Sequence, residues 1–338
     1  MKIKKSLFTL ITALIFISIS SVQLNAADSK VVFTDLYGDH LGQTPPGDTP
    51  VVFARGIIST KYLEHSAPRF SPDGNEVFWE RVRRPRVKGV PGKMILTMQR
   101  SGNRWSKPVI TKDFPVFSTD GKRFYFSALP KPPKKTVNIQ SQNDGDKEAI
   151  YIHLLAQYPE LKYTRGLSIA NNRNIYFMSH LEGPLNGIGI YRAEYINGKY
   201  AKPEPLPRSI NTPGFLNWTP FISPDESYLL FSSNRKDPDN DAGDLYISFR
   251  LGDGTWTKPV NLGEPVDSPE QERFPMVSMD GKYLFFTRPT PEYHQEVFWV
   301  SSKIINEIKT QVFADISLKE EMITDYRQLL LNKKNKSD

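Results

Sequence analysis

A phrase of about a dozen residues occurs five times in this 338-residue chain, and no other feature constrains the fold as strongly. Each copy has an extended apolar segment, a turn that usually contains Asp-Gly, and a second extended segment rich in aromatic residues. Self-similarity at a period of about 40–55 residues is typical of repeat arrays, in which each unit packs against its neighbours. The copies cover residues 67–79, 114–126, 165–177, 219–231 and 274–286.

The turn within each copy predicts a tight hairpin. Asp-Gly pairs at 73–74, 120–121 and 280–281 allow the positive φ that short hairpin turns need. Asn171 and Asn172 are compatible with the same turn, because Asn tolerates the left-handed region. We therefore interpret the aligned aspartates as turn formers rather than as ligands or catalysts.

Each hairpin is followed by two further extended segments. In the fourth unit, for example, the third strand is predicted at 244–249. The fourth strand of a unit is predicted where Trp or Tyr precedes Lys-Pro, as at 105–108, 200–203 and 256–259. Proline is tolerated at a sheet edge, so the fourth strand is the outer one. Four antiparallel strands per unit form the blade of a β-propeller. The sequence thus predicts an all-β chain with a single propeller of five four-stranded blades, or six if residues 130–163 contain a further blade.

The fifth unit lacks its fourth strand, and residues 50–58 resemble the missing one. We expect this N-terminal strand to pair with the last blade and close the ring, which would remove exposed sheet edges. The propeller would then cover residues 50–305, after a lead-in at 27–49. Helical spacing at 318–331 predicts a short helix within a C-terminal segment, 306–338, that ends in a polar tail. This helix would cap the propeller or lie free.

The N-terminus has the pattern of an export signal. Lys2, Lys4 and Lys5 precede an apolar run at 7–22 and small residues at Ala26 and Ala27. The run is shorter than a membrane span, so we predict a signal peptide at 1–26, no transmembrane span after cleavage, and a periplasmic or secreted protein; a retained anchor is the alternative. Cysteine is absent, so the exported domain would depend on its core rather than on disulfides.

The charge of the chain is modestly positive, with a formal value of +7 that includes the three N-terminal lysines. Basic residues gather only in short stretches at 81–88, 131–135 and 333–336. Recognition of a nucleic acid needs a sustained basic face. We therefore expect no nucleic-acid partner and interpret these stretches as solvated loops.

Several segments resemble a known family. The Ser-Pro-Asp-Gly turn at 71–74, the strand at 244–248 and the stretch at 256–263 are similar to the WD40-like repeats of TolB-like β-propellers from exported bacterial proteins. The resemblance covers about residues 36–305, and a phrase at 41–47 also resembles members of this group. It implies a propeller that serves as a binding scaffold. It does not imply a role in the Tol system, since TolB carries an additional N-terminal α/β domain.

Loops at one rim of a propeller are the expected place for a ligand, because a rigid scaffold positions them. Arginine there is suited to carboxylates or phosphates, and Trp stacks on sugar or peptide rings. We predict a monomer that binds a protein or glycan on this face. The alternative is that these side chains satisfy backbone groups where blades meet. The candidate rim residues are His65, Arg81, Arg165, His180, Trp218, Arg235, Arg273 and Arg288.

An enzyme would need different chemistry at the same rim. Glu80, Asp113 and Glu272 are the carboxylates available, and glycoside hydrolysis needs two of them roughly 5–10 Å apart. They lie in no recognisable motif, and the chain has no Gly-x-Ser-x-Gly elbow and no cysteine. The predicted function is therefore a non-catalytic binding or scaffold module. A carbohydrate-active enzyme, a glycosidase or lyase, is the alternative.

Signals for a metal or cofactor are weak. Asp237, Asp239 and Asp241 are spaced like calcium ligands, but Ala242 stands where the EF-hand loop needs glycine. We predict an acidic hairpin loop, with loop-bound calcium as the alternative. The five histidines are not paired at zinc spacing, so no cofactor is expected.

Overall fold

The computed structural model describes residues 36–83, 92–112, 114–127, 139–140, 146–152, 154–182, 187–238, 243–292 and 295–334. Short strands dominate these residues. The helical elements are α1 (Leu154–Gln157), a 3₁₀ turn at Pro159–Leu161, and α2 (Lys303–Lys334). The strands are β1 (Val51–Val52), β2 (Leu63–Glu64), β3 (Arg69–Phe70), β4 (Glu76–Val82), β5 (Lys93–Ser101), β6 (Arg104–Trp105), β7 (Val109–Thr111), β8 (Val116–Phe117), β9 (Arg123–Ser127), β10 (Ile139–Gln140), β11 (Asp146–Ile152), β12 (Arg165–Ile169), β13 (Ile175–Leu181), β14 (Gly187–Ala193), β15 (Tyr195–Ile196), β16 (Lys199–Tyr200), β17 (Glu204–Pro205), β18 (Asn217–Ile222), β19 (Tyr228–Ser233), β20 (Asp244–Phe249), β21 (Val260–Asn261), β22 (Arg273–Val277), β23 (Tyr283–Arg288) and β24 (Glu296–Ser301).

The strands form a propeller-like ring of sheets, which we number by the repeat copy that each contains. Sheet 1 has β4 and β5 at its centre, with β2 and β3 on one side and β6 and β7 on the other. Sheet 3 has the order β12-β13-β14-β17, sheet 4 the order β18-β19-β20-β21, and sheet 5 the order β22-β23-β24-β1. All pairings in these four sheets are antiparallel, as propeller blades require.

Sheet 2 departs from this pattern. Its order is β8-β9-β11-β10, and β11 pairs with β9 in parallel, with Arg123 opposite Glu148. Parallel neighbours cannot be joined by a short hairpin turn, and β9 and β11 are separated in the sequence by residues 128–145. The described residues therefore form four regular blades, whereas the sequence predicted five. In the described part of residues 130–163, the strands belong to sheet 2 rather than to a further blade.

The predicted pairing of the N-terminal strand with the last sheet is present. In β1, Val51 lies opposite Trp299 of β24, and the Phe53 amide donates to the Val297 carbonyl at 2.8 Å. The Ser59 hydroxyl donates to the same carbonyl at 3.2 Å and accepts from the Val297 amide at 2.9 Å. The fully buried Phe53 ring contacts Trp299, with centroids 5.0 Å apart. Two segments far apart in sequence thus form one edge of sheet 5.

The aligned aspartates form turns, as predicted. In four of the five copies the carboxylate accepts a hydrogen bond from the backbone N–H two residues later, at 3.0–3.1 Å. Asn172 does the same in the remaining copy, at 3.0 Å to the Asn174 amide. This side-chain turn supports the backbone turn at the same place, which explains why Asp and Asn recur here. The four aspartates are Asp73, Asp120, Asp225 and Asp280.

Helix α2 is longer than the sequence predicted, since it begins at Lys303 rather than near residue 318. Its first turns pack on the core shared by sheets 4 and 5, and Phe313 lies 6.1 Å from Phe249. Its later turns expose Leu318, Met322 and Tyr326. The helix therefore docks through its beginning, which the prediction had left outside the helix. None of the described helices is long and apolar enough to cross a membrane.

Candidate binding site

A cavity of about 180 Å³ lies between the first strands of all five repeat copies. These strands are β3, β8, β12, β18 and β22, and the third residue of every copy lines the cavity. In four copies this residue is apolar, whereas the first copy has arginine there. The wall is therefore mostly apolar and carries one guanidinium group. The five third-position residues are Arg69, Val116, Leu167, Phe221 and Met276.

Arg69 is held against two neighbouring strands. Its guanidinium donates to the carbonyl of Pro115 at 3.1 Å and to that of Leu167 at 3.4 Å, and it lies 4.2 Å from the Phe114 ring centroid. Burial lowers the pKa of Arg69 to about 10, against the opposing effect of the Glu80 charge. The group remains charged at neutral pH. Among the described residues, these carbonyls engage two of its five N–H donors.

Glu80 forms a compact ion cluster in sheet 1. One carboxylate oxygen contacts His65 Nδ1 at 2.8 Å, and the other contacts Lys93 Nζ at 2.5 Å. Burial alone would raise the pKa of Glu80, but the hydrogen bonds and charges of His65 and Lys93 outweigh it and lower that pKa. The His65 ring also lies 4.9 Å from the ring of Phe274, which lines the cavity. Glu80 is thus ionised and paired beside the cavity.

Three of the predicted rim arginines bind the protein itself where one sheet meets the next. Each guanidinium donates a hydrogen bond to a side chain that precedes or begins an inner strand. It also donates to a backbone carbonyl in the turn before that side chain. For these three, the structure matches the alternative in which the side chains satisfy groups between blades. Arg81 donates to Glu64 and to the Ile57 carbonyl, both at 2.9 Å. Arg235 donates to Asn217 at 2.6 Å and to the Ile210 carbonyl. Arg288 donates to Glu272 at 2.8 Å and to the Val266 carbonyl at 2.7 Å.

The other predicted rim residues occupy separate places. The Arg273 guanidinium lies 5.5 Å from the Trp218 ring centroid, so these two form a cation–π pair. Arg165 is exposed at the start of β12 and lies 5.8 Å from the Tyr163 ring. His180 is in β13, where its carbonyl accepts the Tyr191 hydroxyl at 3.0 Å. The structure therefore pairs Trp218 with Arg273, while ligand binding by these residues stays a prediction.

The candidate catalytic carboxylates lie in different clusters. Glu272 is fully buried and accepts from Ser268 at 2.5 Å and from Arg288 at 2.8 Å. Burial raises the pKa of Glu272 to about 7. Glu80 and Glu272 share no hydrogen-bond partner among the described residues. Asp113 lies outside the described residues.

The predicted acidic loop is only partly described. Asp237 donates its backbone N–H to the Asn234 carbonyl at 3.1 Å, whereas Asp239 and Asp241 lie outside the described residues. A different set of carboxylates converges nearby: oxygens of Asp244, Asp267 and Glu272 all lie within 4.8 Å of one another. The sequence did not reveal this set, because its members come from two loops and a strand.

Arg69 was also missed, although the sequence contains a signal for it. Comparison of the five copies shows a charged residue at a position that is apolar in the other four. Such a substitution inside a repeat core indicates a specific role, because an unpaired buried charge is unfavourable.

Comparisons with known proteins give no family for the chain. No family model matches it, and no curated protein matches it. Similar solved structures include a TolB-type protein from Agrobacterium tumefaciens, 16% identical with a TM-score of 0.40, covering 68% of this chain and 71% of that one. A hypothetical protein from Leishmania major is 10% identical with a TM-score of 0.41, covering 76% and 91%.

A periplasmic gluconolactonase from Pseudomonas aeruginosa is 12% identical with a TM-score of 0.33, covering 65% of this chain and 64% of that chain. TM-scores this low carry no argument about function. The assignment of a propeller-like ring therefore rests on the strand pairings described above.

Proposed function

We propose that this chain is a non-catalytic binding module whose central cavity takes one apolar side chain of a protein ligand together with a nearby carboxylate. The observation that supports this proposal is the cavity itself, with four apolar third-position residues and Arg69. The proposal includes sheet 2 as a degenerate fifth blade, since its strand β8 contributes to the same cavity. It also includes a periplasmic or secreted location, which the N-terminal sequence pattern supports.

The size and chemistry of the cavity favour a protein ligand over a glycan. An apolar cavity of about 150 Å³ is large enough to hold benzene. The volume of about 180 Å³ is therefore suited to a single aromatic or aliphatic side chain. A sugar ring would bring hydroxyl groups against Phe117, Phe221 and Met276, where they would lose hydrogen bonds to water.

Arg69 adds a requirement for negative charge. A guanidinium binds a carboxylate through two parallel hydrogen bonds, and such charge-assisted bonds are stronger inside a protein than in water. A C-terminal residue with an apolar side chain carries both groups. We therefore propose that the ligand is the free C-terminus of a partner protein.

A carbohydrate-active enzyme is the second candidate, and one observation favours it. The pKa of Glu272 is raised to about 7 and the pKa of Glu80 is lowered. A glycosidase uses such a difference between an acid and a base. Both carboxylates, however, are already paired with protein cations, Glu80 with Lys93 and Glu272 with Arg288.

The test is peptide binding measured by fluorescence anisotropy, using labelled hexapeptides that differ in their last residue. We expect peptides ending in Phe, Leu or Met to bind, and amidation of their C-terminus to weaken binding at least tenfold. Arg69→Met should weaken binding in the same way, because it removes the guanidinium. The variant is expected to fold, because the position is apolar in the four other copies. Arg104→Met, an exposed arginine on β6, is the matched control and should bind like the wild type.

Two results would overturn the proposal. One is equal binding of free and amidated peptides by the wild-type protein, which does not depend on the folding of any variant. The other is binding of oligosaccharides, but not peptides, on a glycan array. Turnover of an oligosaccharide that is lost in both Glu80→Gln and Glu272→Gln would establish the second candidate.

A further inference from the structure

We propose that the junction between sheets 4 and 5 is a binding site for a divalent cation of the calcium type. Its ligands are Asp244, Asp267 and Glu272, whose carboxylate oxygens lie within 4.8 Å of one another. Asp244 begins β20, Asp267 lies in the turn that follows β21, and Glu272 immediately precedes β22. The Glu272 amide donates to the Gly243 carbonyl at 2.9 Å, which joins these elements.

Two buried oxygen atoms in this cluster have no hydrogen-bond partner among the described residues. Glu272 is 0% exposed, and its Oε1 accepts from Ser268 and Arg288, whereas its Oε2 has no partner. Asp267 Oδ1 is likewise buried and unpartnered, while its Oδ2 contacts Lys236. A buried acceptor without a partner is unfavourable, and a bound cation would satisfy both atoms at once.

The neighbouring junction, between sheets 3 and 4, shows the same construction without the carboxylates. Gly189 lies opposite Ser179 in sheet 3, as Asp244 lies opposite Ser233 in sheet 4. Asn211 occupies the turn position of Asp267, and Asn217 has the role of Glu272 as the partner of an arginine.

In that neighbouring junction the amide groups are satisfied. Asn211 accepts from the Ile190 amide at 3.0 Å and donates to the Ile190 carbonyl at 2.9 Å. Asn217 accepts from Arg235 and donates to the Ile210 carbonyl at 3.2 Å. The repeat therefore does not need acidic residues at these positions, and their presence between sheets 4 and 5 requires a separate reason.

The carboxylates of this junction outnumber the cations that contact them. Its three carboxylates face Arg288 and the half-exposed Lys236, whose Nζ lies 3.0 Å from Asp267 and 3.7 Å from Asp244. Between sheets 5 and 1, Glu64 is paired with Arg81, and Arg55 is shared by Glu292 and Glu296. Glu296 also keeps one buried oxygen without a partner, but only between sheets 4 and 5 do three carboxylates of the described residues lie within 4.8 Å of one another. Lys236 lies on the solvent side, so a cation that enters would displace its ammonium group outward.

The ligand set selects the kind of cation. Carboxylate oxygens alone favour hard cations such as Ca²⁺ and Mg²⁺ over zinc or copper. Calcium–oxygen distances of about 2.3–2.6 Å allow opposite ligands to be about 5 Å apart, whereas Mg²⁺ would draw them to about 4.2 Å. A cluster within 4.8 Å therefore accommodates Ca²⁺ without contraction. Water completes the coordination shell.

The test is calcium titration of the full chain after chelator treatment, followed by calorimetry and thermal unfolding. We expect one equivalent of Ca²⁺ to bind, millimolar Ca²⁺ to raise the Tm, and Mg²⁺ to bind at least tenfold more weakly. Asp267→Asn and Asp244→Asn should each weaken Ca²⁺ binding at least tenfold. Asp253→Asn, an exposed turn aspartate, is the matched control and should leave binding unchanged.

Lys236→Met separates the proposal from its rival, in which the lysine itself neutralises the cluster. If the cluster binds Ca²⁺, removal of the competing ammonium should tighten binding severalfold. The proposal is overturned if the wild type shows neither heat nor a Tm shift at 10 mM Ca²⁺, or if Asp253→Asn loses binding as strongly as Asp267→Asn. Asp267→Asn is expected to fold, because asparagine occupies the equivalent turn at Asn211.

Discussion

The junction between sheets 3 and 4 and the junction between sheets 4 and 5 each bind an arginine in the same way, but they differ in the charge that the arginine meets. In both, an arginine bonds to the side chain that precedes or begins the next inner strand and to a carbonyl of the preceding turn. The partner is the neutral Asn217 in one and the fully buried Glu272 in the other. The contrast shows that the repeat specifies where an arginine binds, whereas the charge it meets is free to vary.

The largest effect should come from removal of Arg288, with removal of Arg235 as the comparison. Arg288→Met leaves the Glu272 carboxylate buried without its guanidinium, and we expect a loss of about 3–5 kcal/mol in the free energy of unfolding. Arg235→Met leaves only neutral groups, and we expect a loss of about 1–3 kcal/mol. Urea denaturation in the presence of a chelator measures both. Equal losses in the two variants would contradict the electrostatic difference between the junctions.

A smaller effect on stability should come from the titration of Glu64, which lies where sheet 5 meets sheet 1. Burial raises the pKa of Glu64 to about 7, so the folded state binds its proton more tightly than the unfolded state does. The resulting stability is present below the unfolded pKa of about 4.5 and is lost as the pH rises through about 7. The contribution of Glu64 to the free energy of unfolding therefore falls by about 3 kcal/mol across this range, at 1.36 kcal/mol per unit of pKa.

Glu64→Gln should therefore reduce the dependence of stability on pH between about 5 and 7, as measured by urea denaturation at each pH. Glu76→Gln, a partly exposed carboxylate on β4, is the control and should keep the wild-type dependence. An unchanged slope in Glu64→Gln would show that Glu64 does not titrate in this range.

Exchange of the turn residues of the two compared junctions includes the smallest expected effect, that of Asp267→Asn. Asn211 donates to the carbonyls of Ile190 and Leu206 at 2.9 and 3.0 Å, so Asn211→Asp would place an acceptor against acceptors and should lose about 1–3 kcal/mol. Asp267→Asn relieves crowded charge and should change stability by less than about 1 kcal/mol without calcium. Thermal unfolding of both variants with chelator measures this; a greater loss for Asp267→Asn would contradict the comparison.

Much of the fold could be predicted because its determinants are local. The Asp-Gly turns and the proline-marked outer strands recur in sequence, and the turns and outer strands formed close to where the pattern placed them. The parallel pairing of β9 with β11 could not be predicted, since the turn signals in the sequence specify only antiparallel hairpins. The start of α2 was missed because β24 leads into it almost directly.

The candidate site was less accessible from sequence. The rim positions of Arg81 and Arg288 could be inferred from the repeat, but their partners lie in turns that precede another strand, and those contacts exist only after folding. Arg69 differs visibly from its counterparts, yet a strand position alone does not indicate that it faces a cavity. Convergence of Asp244 with Asp267 likewise depends on three-dimensional packing.

The pairing of β1 with β24 has a mechanical consequence. The Ser301 amide donates to the Gly47 carbonyl at 2.9 Å, and Val51 lies opposite Trp299. The chain therefore enters β1 and leaves β24 at the same end of this sheet. Tension applied between the two chain ends would load these hydrogen bonds one after another, as in opening a zipper, rather than all together. The first rupture of the ring under force should therefore release residues 47–53 while the other sheets remain folded.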